Sequence, residues 1–110
     1  MFLDLSAVTE EGNTAETPQA FTLYQNTPNP FNPGTAIRYE LTQSQQISMR
    51  VYDLLGREVA VLDSGMKDTG YHEVYWNGRD ANGISAASGV YLYRLKTGGY
   101  AETKRMMIVR

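Results

Sequence analysis

From Phe21 onward, apolar residues return at every second position, the spacing that sends alternate side chains to opposite faces of a strand. "FTLYQ" predicts a short first strand. "TAIRYEL" sets Ile37, Tyr39 and Leu41 on one face and Arg38 and Glu40 on the other. "ISMRVYD" groups Ile47, Met49 and Val51, and "REVAVL" puts Val59 and Val61 opposite Ala60 and Leu62. "YHEVYW" places His72, Val74 and Trp76 against Tyr71, Glu73 and Tyr75. "GVYLYRLK" lines up Tyr91, Tyr93 and Leu95. "YAETKRMMIVR" is a last strand, apolar in its second half, where a bulge would shift its phase. No segment carries a helical repeat of useful length.

The connections agree. In "DLLGRE", Gly56 stands where a short hairpin needs a left-handed residue, and "KTGGYAE" has the Gly-Gly of a tight hairpin. "LTQSQQ" and "DSGMKDTG" read as polar turns, and residues 77–89 form the one long connection. Seven strands with turns about every 8–12 residues predict an all-β fold, an antiparallel β-sandwich of immunoglobulin-like architecture. With no cysteine in the chain it has no disulfide. Trp76 is the expected core anchor, burying roughly 200 Å² if enclosed.

Residues 26–34, "NTPNPFNPG", hold three of the four prolines. Proline fixes φ, lacks a donor and forces its predecessor into extended geometry. The segment should therefore be an extended, polyproline-like bend whose backbone cannot pair fully with a sheet and which blunts an exposed edge. Phe31, its one large apolar group, should pin it to the core. Residues 9–20, "TEEGNTAETPQA", are acidic, small and polar, so residues 1–20 divide off as a flexible linker and the body runs from 21 to 110. Phe2, Leu3, Leu5 and Val8 fit the last strand of a preceding module or a strand borrowed by the main body.

Charge narrows the function classes. The four acids and no bases of residues 1–37 leave eight acids and ten bases in the remainder, about +2 and unclustered in sequence, which argues against a nucleic-acid partner. No run approaches the ~20 apolar residues of a membrane span. "MFLDLSAVTEEGN" lacks the basic start of a signal peptide. A stand-alone protein with this start would stay in the cytoplasm, whereas the last piece of a longer secreted chain would need no leader of its own. "MMIVR" ending on a basic residue favours a true terminus.

Candidate chemistry is thin. The single histidine, His72, has no second His or Cys to complete a metal set, so no metal and no cofactor are expected. "RDANG" around Gly83 would place Gly78 and Gly89 at the first and twelfth positions of a calcium loop, where acids are required. Asp80 and Asn82 are better read as turn caps. Asp53, Glu58, Asp63, Asp68, Glu73, Asp80 and Glu102 could pair for glycoside chemistry only inside a cleft, which short turns on a sandwich do not wall. No enzyme activity is expected. Tyr71 and Tyr75 share an outward face and could stack on sugar rings.

Taken together, "LYQNTPNPFNPGTAIRYEL", "VYDLLGREVAVL", "WNGRDANG" and "SGVYLYRLKTGGYAETKRMMIVR" resemble the C-terminal sorting domain of the type IX secretion system, itself similar to the immunoglobulin-like domain of the flagellar hook-capping protein. The likeness covers about Phe21 to Arg110. It implies a non-catalytic module that directs a secreted cargo across the outer membrane to the cell surface, read by an outer-membrane translocon and cut by a sortase-like peptidase within residues 9–20. It further implies that the machinery recognises Pro28, Asn29, Pro30 and Phe31; Gly56, Glu58 and Val59; Gly89, Tyr91 and Leu95; and the basic closing strand, Lys104, Arg105 and Arg110. The last strand would then pair with an acceptor as an added β-strand. The alternatives are a carbohydrate-binding appendage of a secreted hydrolase and an inert spacer between modules.

Overall fold

The computed structural model describes residues 21–110. Both the linker of residues 1–20 and the cleavage window of residues 9–20 lie outside them. Seven strands follow in order: β1 Phe21–Leu23, β2 Thr35–Leu41, β3 Gln45–Tyr52, β4 Glu58–Lys67, β5 Gly70–Trp76, β6 Gly89–Lys96 and β7 Ala101–Ile108. They form two antiparallel sheets, β1-β2-β5 and β4-β3-β6-β7, packed as a sandwich without disulfide.

The alternation in the sequence is what builds the core. Ile37, Tyr39 and Leu41 of β2 face Ile47, Met49 and Val51 of β3 and Tyr93 and Leu95 of β6, with Trp76 closing one end. All of these are almost fully enclosed. For Trp76, roughly 200 Å² of buried surface at about 25 cal/mol per Å² is worth about 5 kcal/mol.

β4 departs from the simple reading. The segment "DSGMKDTG" is not wholly a turn, because its first five residues continue β4 to Lys67, paired with Gln45–Met49 of β3. Partnering also jumps between Met49/Arg50 and between Val51/Tyr52, which leaves Leu62 and Val59 as extra residues in two bulges. As a result Ala60 is buried, Val61 is exposed, and Val59 and Leu62 both pack against the core. Four consecutive apolar residues carry no alternation, so the face was not legible there. β7, in contrast, needs no bulge: its register runs unbroken from Gly89↔Ile108 to Lys96↔Ala101, with Met106 and Ile108 inward.

Strand direction sorts the loops by end. Register places Thr35, Trp76, Gly89 and Ile108 at one end of the sandwich, together with the β3–β4 hairpin. Phe21, opposite Leu41, lies at the other.

Candidate recognition surface

The proline-rich segment is held from beneath by a buried polar network. Asn26 is 3% exposed; its backbone N–H donates to the Tyr93 hydroxyl at 2.9 Å, and that hydroxyl donates to the Tyr24 carbonyl at 2.7 Å. Asn26 Nδ2 donates to the Pro28 carbonyl and to Thr35 Oγ1, each at 3.0 Å, while the Thr35 hydroxyl donates to the Pro28 carbonyl at 2.9 Å. Prolines cannot form a ladder, so side chains from the flanking residues satisfy the bend instead. Burial pushes the Tyr93 phenol up to about 12, against the lowering effect of the Asn26 amide.

From above, the same segment clasps the outer edge of β7. The Phe31 N–H donates to the Met107 carbonyl at 2.9 Å, and the Val109 N–H donates to the Phe31 carbonyl at 3.0 Å. Met107 N–H donates to Asn29 Oδ1 at 3.0 Å, and Gln25 Nε2 donates to the Arg105 carbonyl at 2.7 Å. The backbone thus pairs more than proline content suggested, with bridges at Thr27↔Ala36 and Phe31↔Ile108 joining both sheets. β7 is an edge strand, as expected, and from Arg105 to Val109 its outer edge is occupied by the bend, so an acceptor strand could add there only by displacing it.

Phe31 enters the core as its position suggests. It is 2% exposed and meets the Trp76 ring edge-on at 5.7 Å, and Trp76 meets Tyr91 in the same way at 5.7 Å. The Trp76 indole N–H donates to the Arg79 carbonyl at 2.9 Å and the Tyr91 hydroxyl to the Ala87 carbonyl at 2.8 Å, tying the 77–89 loop to this row. Arg110 closes the arrangement: its Nε donates to the Ala86 carbonyl at 2.6 Å and a terminal nitrogen to the Gly78 carbonyl at 2.7 Å. At Gly78, φ is +77° and a Cβ would run into the Pro33 carbonyl, so only glycine fits.

The residues singled out in the sequence therefore divide. Pro28, Asn29, Pro30, Phe31, Gly89, Tyr91, Arg105 and Arg110 converge on one end, where Asn29, Pro30, Val90, Arg105, Met106 and Met107 line a shallow depression. Val59 and Glu58 join Tyr91 in a second depression on the same end. Gly56 sits at the exposed hairpin tip with φ +84°. Leu95 is wholly enclosed in the core, and Lys104 lies on the inward face of β7, paired with Glu102 at 3.5 Å. Asn26, Thr35 and Gln25 escaped sequence reasoning; small polar residues flanking a proline cluster were the available signal.

Other candidates take structural places. His72 stacks on Tyr39 at 5.1 Å and its Nε2 lies 2.7 Å from the Asp68 carbonyl. Asp80 Oδ1 accepts the N–H groups of Asn82 and Ile84 at 2.9 and 3.0 Å, a turn cap. Asp53 accepts the Leu55 and Arg57 N–H groups, both at 2.9 Å; these bonds, that of Arg57 first, hold its carboxyl below the usual range. Among the described residues no three His, Asp or Glu side chains are gathered to hold a metal.

The chain matches the family model of the FlgD Ig-like domain over residues 26–99. Its fold superposes on part of dimeric latent PorU from Porphyromonas gingivalis with a TM-score of 0.68 at 20% identity, covering 94% of this chain and 10% of that one. PorZ, described as an essential bacterial surface component of the type-IX secretion system of the same organism, matches at a TM-score of 0.56 and 26% identity, over 80% of this chain and 11% of PorZ. FlgD from Xanthomonas campestris, tied to hook capping in flagellar assembly, matches at 0.54 and 19%, over 82% and 62%. The chain thus spans about a tenth of the length of PorU and of PorZ. No curated protein matches it.

Proposed function

This chain belongs to the FlgD Ig-like domain family, and on that footing we propose that it is a non-catalytic sorting and anchoring module of a larger secreted protein. It directs its cargo across the outer membrane to the cell surface through a type IX secretion system, where a translocon and a sortase-like peptidase act on it. The observation that carries this reading is the likeness to PorZ, a surface component of such a system, of which the matching domain is a small part. A non-catalytic role is supported by a polar inventory spent on turns and clasps rather than on a cleft.

The test fuses residues 21–110 to a periplasmic reporter in a host with the system. The intact fusion should reach the surface. Deleting "KRMMIVR" would remove Met106 and Ile108 from the core, so retention of that deletion alone reports unfolding. Arg105→Ala is the informative variant: the side chain is exposed and its carbonyl bond to Gln25 is unaffected. Retention of the folded variant supports recognition of the closing strand, and an intact fusion left in the periplasm refutes the sorting role.

A carbohydrate-binding role is the second reading. Tyr71 and Tyr75 are 71% and 64% exposed on the outer face of the β1-β2-β5 sheet, with Tyr24 6.4 Å from Tyr71. A glycan pull-down that fails with the parent chain removes it, and one lost on changing both tyrosines to alanine supports it.

A further inference from the structure

The outer face of the β4-β3-β6-β7 sheet carries the side chains that alternate away from the core: Ser48, Arg50 and Tyr52 on β3, Arg94 and Lys96 on β6, Thr103 and Arg105 on β7. Register sets Arg50 directly opposite Arg94 and Ser48 directly opposite Lys96. Side chains so placed stand about 5 Å apart at Cβ, and like charges there repel. The acid beside them is Glu58, 2.7 Å from an Arg50 terminal nitrogen. Within this part of the face, Arg50, Arg94 and Lys96 stand against the one carboxylate of Glu58, a local excess of two positive charges. The other sheet shows no such excess, since Arg38 is matched by Glu73 at 3.6 Å and neighboured by Glu40.

The cations are also held in place rather than left to spread apart. Arg50 Nε donates to Ser48 Oγ at 2.8 Å, Arg94 Nε donates to Thr103 Oγ1 at 3.0 Å, and the Arg94 guanidinium lies 5.4 Å from the centre of the Tyr52 ring. Ser48, Arg50, Tyr52, Arg94 and Lys96 together line one depression. Fixed guanidinium forks with a neighbouring ammonium suit the tetrahedral oxygens of a phosphate, and its charge of about −2 at neutral pH matches the excess.

We infer that this depression binds a phosphomonoester, with Arg50, Arg94 and Lys96 supplying charge and the Ser48 and Tyr52 hydroxyls supplying hydrogen bonds. The site is independent of the export reading and lies on the broad face of the four-stranded sheet rather than at the loop end.

The test titrates the 110-residue chain with inorganic phosphate at constant ionic strength and follows backbone amides by NMR. Saturable shifts centred on Ser48, Arg50, Arg94 and Lys96 are expected, together with a phosphate-dependent rise in Tm. Arg94→Gln with Lys96→Gln should weaken binding by at least about tenfold and remove the Tm rise, while Arg38→Gln on the other sheet should change neither. Sedimentation with vesicles of phosphatidic acid in phosphatidylcholine separates the sources. Vesicle binding lost in the double variant identifies a lipid headgroup, and phosphate binding without vesicle binding identifies a soluble phosphomonoester. Shifts that never saturate, that chloride reproduces, or that survive the double variant overturn the site.

Discussion

Removing one oxygen, in Tyr93→Phe, tests the network beneath the proline bend. In the parent chain the hydroxyl accepts the buried Asn26 N–H and donates to the Tyr24 carbonyl. Phenylalanine keeps the ring but strands both backbone groups. A net hydrogen bond is worth about 1 kcal/mol, and a buried donor left without a partner costs about 1–3 kcal/mol. A loss of about 2–3 kcal/mol is expected, a large share of the roughly 5–13 kcal/mol available to a domain of about 90 residues. Urea unfolding followed by the fluorescence of Trp76, the single tryptophan, should show the midpoint falling by about 1–2 M with an unchanged slope, for a slope near 1.5 kcal/mol per M.

A pH arm sharpens the test. The Tyr93 phenol rises from an ordinary 10.0 to about 12 on folding, so the folded state holds the proton more tightly. Its contribution is complete below pH 10 and is lost as pH climbs to about 12, a change of about 3 kcal/mol. The variant has no such proton, so the gap between the two proteins should close across that window. Tyr39, also raised by burial and by Asp63, is common to both and cancels. A cost below about 0.5 kcal/mol at pH 7, or a gap constant from pH 9 to 12, would refute the reasoning.

Three further outcomes follow from the same geometry. Gly78→Ala should cost clearly more than the ~1–2 kcal/mol of a left-handed alanine, because its Cβ meets the Pro33 carbonyl, whereas Gly83→Ala, at φ +81° in open space, should cost about that strain alone; equal melting shifts would contradict the close approach. Phe31→Ala should cost about 3–5 kcal/mol and speed hydrogen exchange at Met107 and Val109 more than at Met106 and Ile108, which face β6. Asp53→Asn should lower Tm at neutral pH, and since the parent's depressed carboxyl loses its benefit as pH falls, the two melting curves should converge in strong acid.

The sandwich was legible because its inner strands obey a strict period of two, and β2 and β5 appear where alternation places them. β4 was not, since two bulges let Val59 and Leu62 face inward from either side of Ala60. Around the proline bend the sequence marked stiffness and Phe31 as an anchor, but the role of Asn26 depends on Tyr93, 67 residues away. The basic depression was hidden for the same reason, as its arginines come from separate strands and gather only through register.

The clasp of Asn29 and Phe31 onto β7 joins residues 78 and 76 positions apart along the chain. Contacts that distant form late, because a long loop must close before they give anything back. A chain ending before Met107 would therefore never form the joint, and the proline bend would be left without that partner.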